Sequence, residues 1–319
     1  MTLLETHDVG VSFLYRGTRV APIKGVSFSV AAGESVGIVG ESGSGKSTLA
    51  LALLRLIPPA RGLQVSGQIR FGGRDVLAMS AKELSEYRGA GVALIPQDPM
   101  TSLNPTLTIG RQIGEASALS GGGDVSVQVV EALRAVQMPE PEARIASYPH
   151  QLSGGMRQRA VGAVAIARAP KLLIADEPTT ALDVTVQKKF LDMLVSLRRT
   201  RGMAMLLVSH DLGVVARVCE RIIVMYAGQI VEDGPAQDIL AQPRHWYTAA
   251  LVASARSVAA GAKRLPVIPG APPQLNARPP GCRFSPRCAN AKPECAEPPA
   301  LTVQPDGRRL RCHFPRGAA

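Results

Sequence analysis

The sequence predicts an α/β fold with a mostly parallel sheet, on three observations. Apolar strand-like runs alternate with helical stretches in its second half. A glycine-rich run, GESGSGKS at Gly40 to Ser47, joins the strand-like SVGIV to the helix-like STLALALLRLI. The apolar run LLIADE at Leu172 to Glu177 ends in two carboxylates. Alternating strands and helices imply parallel strands covered by helices on both faces. A Gly-x-x-x-x-Gly-Lys-Ser run that follows a strand and opens a helix marks a loop whose N–H groups wrap a phosphate chain. The expected architecture is therefore a P-loop NTPase core with an N-terminal antiparallel β layer, a helical insert and an irregular cysteine-rich C-terminal tail.

Residues Leu3 to Val36 alternate and turn as an antiparallel layer does, with VSF at Val11 to Phe13, VSFSV at Val26 to Val30 and a turn at Gly33. Between Gln97 and Pro149 the pattern becomes helical, in QIGEASAL and VSVQVVEALRAVQM, with SGGGD reading as a surface loop between them. There follow the helix RQRAVGAVAIAR, the strand KLLIAD, a helix through QKKFLDMLVSLRRT, the strand AMLLVSH, a short helix and the strand RIIVMYAG. The expected division is a core of 1–97 and 157–245, a helical subdomain of 98–156 and a tail of 246–319. The tail is proline-rich and aperiodic and cannot build a large core of its own, so a bound metal is expected to order it.

The chain of 319 residues carries a net charge of +11, and eleven Lys and Arg against Glu294, Glu297 and Asp306 place +8 of it after residue 255. A basic tail suits nucleic acid or an anionic membrane surface, or simply a solvated arginine-rich face. No aromatic-rich strand accompanies the charge, and no nucleic acid is expected. No apolar stretch approaches the roughly 18 residues of a membrane span, and MTLLETHDVG lacks the basic and apolar regions of a secretory signal. A cytosolic location is expected. Of five cysteines, Cys282, Cys288, Cys295 and Cys312 crowd into the last forty residues, which in a reducing compartment argues for metal before disulfide. Cys219 reads as a buried small hydrophobe.

Two more runs, LSGGM at Leu152 to Met156 and SHD at Ser209 to Asp211, follow the phosphate loop in order. With LSGGMRQR present, the chain resembles the nucleotide-binding subunits of ABC transporters. The resemblance implies that Gly40, Glu41, Ser42, Gly43, Ser44, Gly45, Lys46, Ser47 and Thr48 form the ATP phosphate site. Lys46 would neutralise the β and γ phosphates, and Ser47, Gln97 and Asp176 would serve Mg2+. Glu177 matches the carboxylate that polarises the attacking water, His210 the switch histidine on the γ phosphate, and Gln97 the glutamine joining core to insert. Phe13 aligns with the adenine-stacking aromatic, and Tyr15 is close enough to replace it. Ser153, Gly154 and Gly155 would cover the ATP of a facing subunit, and Asp183 would serve a loop crossing to that subunit, although helix capping explains it as well.

DPMTSLNP after Gln97, HWYTAAL at His245 to Leu251, IPGAPPQL and GCRFSPRC narrow the resemblance to the dipeptide and oligopeptide importer ATPases, of the D-subunit type. That implies a second related ATPase, two transmembrane permease subunits and an extracytoplasmic solute-binding protein as partners, with the chain peripheral on the cytoplasmic face of a bacterial plasma membrane. Spacings of five, six and sixteen residues between the tail cysteines differ from the two-residue gaps of zinc fingers. The resemblance supports a 4Fe-4S cluster, with zinc as the runner-up. The alternative function is a soluble ABC ATPase outside transport, with a metal-bearing regulatory or nucleic-acid-binding tail.

Overall fold

The computed structural model describes residues 1–119, 124–180, 182–259 and 267–317, so the glycine run at 121–123 lies outside the described residues. The strands in chain order are β1 (Thr2–Tyr15), β2 (Thr18–Ala31), β3 (Ser35–Val39), β4 (Gln64–Phe71), β5 (Arg74–Asp75), β6 (Val92–Ile95), β7 (Leu172–Asp176), β8 (Ala204–Ser209), β9 (Arg221–Tyr226), β10 (Gln229–Pro235), β11 (Thr302–Val303) and β12 (Arg309–Leu310). The chain divides into two compact units, one of Met1, Ala31–Glu34 and Ala78–Leu207, the other of Thr2–Val30, Ser35–Leu77 and Val208–Ala319.

In the first unit the strands neighbour one another in the order β8, β7, β6, and β6 runs parallel to β7 with Val92 opposite Leu172. Every residue of β7 and β8 is buried, the pattern of strands covered on both faces. The helices Ile109–Ala118, Val125–Ala135 and Gly154–Ile166 pack on one another. Val129, Ala132 and Leu133 form the buried stripe of the second, at the spacing of one helix face. The helix Val184–Arg201 starts at Asp183, whose carboxylate accepts the N–H groups of Thr185 and Val186 at 3.0 Å each, and stops at Gly202 with φ +62°. Asp183 is thus a helix N-cap in this unit.

The second unit holds an antiparallel layer in the order β2, β1, β4, β5, and a second group in the order β11, β12, β10, β9, β3. The expected layer is present, but β4 and β5 come from a stretch in which the sequence signalled no strand. β4 pairs with β1 through Leu4 opposite Phe71 and Val11 opposite Val65, with an irregularity between His7 and Gly10. The second group is mixed rather than mostly parallel. β3 runs parallel to β9, but β10 turns back on β9 through Ala227 and Gly228, both at positive φ (+46° and +85°), and a two-residue connection permits only antiparallel pairing. The phosphate-loop helix spans Lys46–Leu53, shorter than STLALALLRLI suggests, and Arg55 beyond it turns to φ +51°.

The tail is not wholly irregular. β12 pairs with β10 and β11 with β12, and Phe284 packs edge-on against Tyr226 at 5.2 Å and tilted against Tyr247 at 5.4 Å. Several of its described arginines are spent on the fold rather than forming a solvated face, although Arg256 and Arg316 are exposed. Arg278 donates to the carbonyls of Ala21 and Pro22, Arg283 to that of Ala227, and Arg311 to those of Ile230 and Pro299. Burial lowers the pKa of Arg283 to about 10. Asp233, 2% exposed, accepts hydrogen bonds from both Arg221 and Arg309. Packing and these bonds order the segment on the surface of its own unit.

Removing Asp233 strands two partly buried guanidinium groups. Asp233→Ala is expected to lower stability by about 2–4 kcal/mol, as loss of one partner of a buried pair does, read as an earlier first transition in urea denaturation.

Candidate nucleotide site and cysteine pocket

In the second unit, β3 delivers the chain to Gly40, and the loop closes at Lys46, the first residue of its helix. Gly40 lies against β9, where an added Cβ would stand 2.2 Å from the Met225 carbonyl oxygen. Only glycine lets the backbone pass there, and the close approach turns the loop's N–H groups into a cradle. Gly43 and Gly45 hold φ of +77° and +100°. The Lys46 side chain is buried, with the residue 4% exposed, and its Nζ donates to the carbonyls of Gly40 at 2.8 Å and Glu41 at 3.2 Å. Among the described residues the buried Ser44 hydroxyl has no hydrogen-bond partner. A glycine-rich loop that opens a helix, a buried ammonium and a buried hydroxyl fit a polyphosphate. Ser42 and Gly43 are exposed, while Glu41, Ser47 and Thr48 are half-buried.

His210 is exposed directly after β8, and Asp211 beside it caps the helix Leu212–Val218 by accepting the N–H groups of Gly213 and Val214. Phe13 and Tyr15 lie two apart on β1 and so share a face. Phe13 is half-buried and Tyr15 is 47% exposed, with the Arg16 guanidinium 5.4 Å from its ring.

In the first unit, β7 carries Asp176 to its end, 8% exposed, and Glu177 follows at φ +46°. A left-handed conformation in a non-glycine residue costs about 1–3 kcal/mol and is tolerated where a side chain must be aimed. The Glu177 carboxylate accepts hydrogen bonds from Gln97 Nε2 at 3.3 Å and Thr180 Oγ1 at 3.2 Å. The structure thus joins Gln97 to Glu177 across 80 residues of sequence, and Thr180, absent from the expected set, is the third member. Its position three residues past Glu177 was the available signal. Ser153 caps the helix Gly154–Ile166, its Oγ accepting the Met156 N–H at 3.3 Å. Gly154 is open, whereas a Cβ on Gly155 would meet Val186 Cγ1 at 2.7 Å.

Also in the second unit, Cys282, Cys288, Cys295 and Cys312 border one small pocket with Phe284, His245 and His313. The Cys282 N–H donates to the Cys295 carbonyl at 2.9 Å. Burial raises the pKa of Cys282 and Cys288, and that of Cys312 to about 11. All five cysteines are unbridged. Among the described residues no group of three or more His, Cys, Asp or Glu is placed to hold a metal ion, so the expected cluster is met only as a shared pocket of thiols. Cys219 is buried beside Gly37, as a small hydrophobe would be.

This loop, strand carboxylate and helix-capping signature accompany matches to two family models, "ABC transporter" over residues 23–180 and "Oligopeptide/dipeptide transporter, C-terminal region" over residues 231–295. The chain belongs to the ABC transporter ATP-binding proteins. More narrowly, it is 48% identical over 323 residues to the dipeptide transport ATP-binding protein DppD of Escherichia coli K12, covering 99% of this chain and 97% of that one. It is 46% identical to the probable peptide ABC transporter ATP-binding protein y4tR of Sinorhizobium fredii, covering 97% and 94%. Among solved structures, the ATP-binding cassette MJ0796, described as a dimer in a post-hydrolysis state bound to ADP and Pi, matches with a TM-score of 0.65 at 26% identity over 73% of this chain and 99% of that one.

Two of the loop glycines differ in a testable way. Gly40→Ala drives a Cβ into backbone and is expected to weaken ATP binding at least about tenfold, whereas Gly43→Ala, open around its Cβ, pays only the left-handed penalty of about 1–2 kcal/mol. Titration calorimetry with ATP ranks the two.

Proposed function

We propose that the chain binds and hydrolyses ATP with Mg2+ to power an importer of dipeptides, oligopeptides or related small solutes. The observation that carries this reading is the 48% identity to a dipeptide transport ATP-binding protein along 99% of the chain, tail included. The match to the oligopeptide transporter C-terminal region favours it over a soluble ATPase outside transport. No helix among the described residues is long and apolar enough to cross a membrane, which is compatible with a peripheral subunit working on two permease subunits, with a solute-binding protein outside. Residues 98–156 are taken as the helical subdomain facing the permeases, between the core segments 1–97 and 157–245 and the tail 246–319.

In this reading the loop Gly40 to Thr48 and the Lys46 ammonium bind the phosphates, the Glu41 N–H staying with Tyr247, and Phe13 or Tyr15 stacks on adenine. Ser47, Gln97 and Asp176 would hold Mg2+, which when bound offsets the charge developing on the phosphoryl oxygens. Glu177 orients and polarises the attacking water, Gln97 and Thr180 hold its carboxylate, and His210 contacts the γ phosphate. Ser153, Gly154 and Gly155 would complete the site of a second, related ATPase subunit. Dimeric MJ0796 supports the pairing by analogy.

The tail thiols are proposed as ligands of a 4Fe-4S cluster, with zinc as the second choice. In such a cluster each thiolate ligates one iron and the sulfides bridge the irons, so the four ligands stand further apart than those of one zinc ion. What supports this reading is that all four tail cysteines border one pocket, four thiolates being the set that such a cluster takes.

Two experiments test these roles. Glu177→Gln is expected to keep ATP affinity and lose at least about a hundredfold in ATPase rate in the assembled transporter, as removal of a general base does. An unchanged rate refutes the assignment. Anaerobically purified protein is expected to be brown and to contain iron and acid-labile sulfide, with the colour lost on replacing any tail cysteine by serine but kept in Cys219→Ser. Zinc without iron favours the second choice, and neither metal refutes both.

A further inference from the structure

Glu41, within the phosphate loop, is held at three points. Its carboxylate takes a bidentate pair from Arg287, Nη1 to Oε2 at 2.6 Å and Nη2 to Oε1 at 3.0 Å. Its N–H donates to the Tyr247 hydroxyl at 2.8 Å, and its carbonyl accepts from Lys46. Two of the three holders come from the C-terminal part of the chain. Tyr247 belongs to HWYTAAL, and Arg287 to GCRFSPRC, directly before Cys288.

Arg287 is itself built in. Its side chain is 4% exposed, its Nε donates to the Pro269 carbonyl at 2.8 Å, and its Nη1 reaches the Tyr226 hydroxyl at 3.3 Å. The planar guanidinium satisfies a carboxylate fork and two further acceptors at once, which an ammonium on a flexible stem could not do. The guanidinium lies 5.8 Å from the Tyr226 ring centroid, and Tyr226, Tyr247 and Phe284 pack on one another, with Tyr226 and Tyr247 ring centroids 4.6 Å apart.

We propose that Arg287 is a positioning residue for ATP. It neutralises the one carboxylate within the loop and, with Tyr247, fixes the backbone on either side of it, so that the tail sets the loop's affinity for polyphosphate. The inference rests on the reading that this loop binds ATP. The electrostatic part follows from charge alone, since an uncompensated carboxylate inside a phosphate cradle opposes a polyanion at short range. The geometric part follows from preorganisation, because a loop already held in its binding shape loses less entropy when it closes on ligand.

The test uses the full chain, ATP titration calorimetry and thermal melting of the nucleotide-free protein. Arg287→Gln is expected to weaken ATP binding by about tenfold or more, the scale of one charge-assisted interaction. Glu41→Gln is expected to bind at least as tightly as the parent, and the double variant to recover to within about threefold of it, because the offending charge is gone. A merely structural arginine would show no such rescue. Arg287→Gln binding within twofold of the parent, or a double variant as weak as the single, overturns the proposal. If melting shows that Arg287→Gln does not fold, Tyr247→Phe replaces it, with a several-fold loss of affinity expected and no loss overturning the proposal. A parent chain that fails to bind ATP instead overturns the reading of the loop.

Discussion

The second unit is organised around a place where backbone meets backbone without side chains between. Gly40 abuts the last carbonyls of β9, and Gly228, in the β9–β10 hairpin, abuts the Pro22 carbonyl, which a Cβ would meet at 2.0 Å. A loop that must present its N–H groups to a ligand cannot also carry bulk between itself and its support, so the hairpin behind it has to be equally bare. The amide of Gly228 donates to the Ser44 carbonyl at 2.8 Å and its carbonyl accepts from the Lys24 amide at 3.0 Å, which ties β2, the hairpin and the loop into one hydrogen-bonded layer. Strand order, hairpin geometry and loop shape are therefore one constraint seen three times.

What the sequence disclosed follows the same logic. Motifs whose residue types a phosphate chain or an attacking water would dictate are short and local, and Gly40 to Ser47, Asp176 and Glu177 stand out in the sequence for that reason. The helix periods of the insert were legible because each helix buries one stripe. β10 was not, because IVEDG contains two acids whose burial makes sense only once Arg308 and Arg309 are known to reach Glu232 and Asp233. β11 and β12 are two residues each, too short for any alternation to register. Phe13 and Tyr15 remain a pair because both sit on one face of β1, and strand geometry alone does not choose between them.

The tail shows how net charge can mislead. Counted along the chain, its arginines form a basic run. In the fold, Arg278, Arg283 and Arg311 act as donors to backbone carbonyl groups, and Arg308 and Arg309 neutralise buried acids of β10. A proline-rich segment offers few amide donors of its own, and guanidinium groups with five N–H bonds each take over that task. His245 lies fully inside the same region with its pKa pushed by burial to about 3, so it stays neutral there and its Nδ1 accepts the Tyr247 amide at 3.1 Å.

The distance in sequence between Glu41 and Arg287 also has a meaning in time. The loop is synthesised 246 residues before the arginine that grips it. At roughly 5–20 residues per second on a ribosome, roughly 12–50 s separate the two. Throughout that interval the nascent loop has its glycines, its strand and its helix, but no counter-charge for Glu41 and no β12 beside β10. The N-terminal β layer and the first unit can take shape while translation continues, whereas the phosphate loop acquires its full set of contacts only after the cysteine segment has left the exit tunnel.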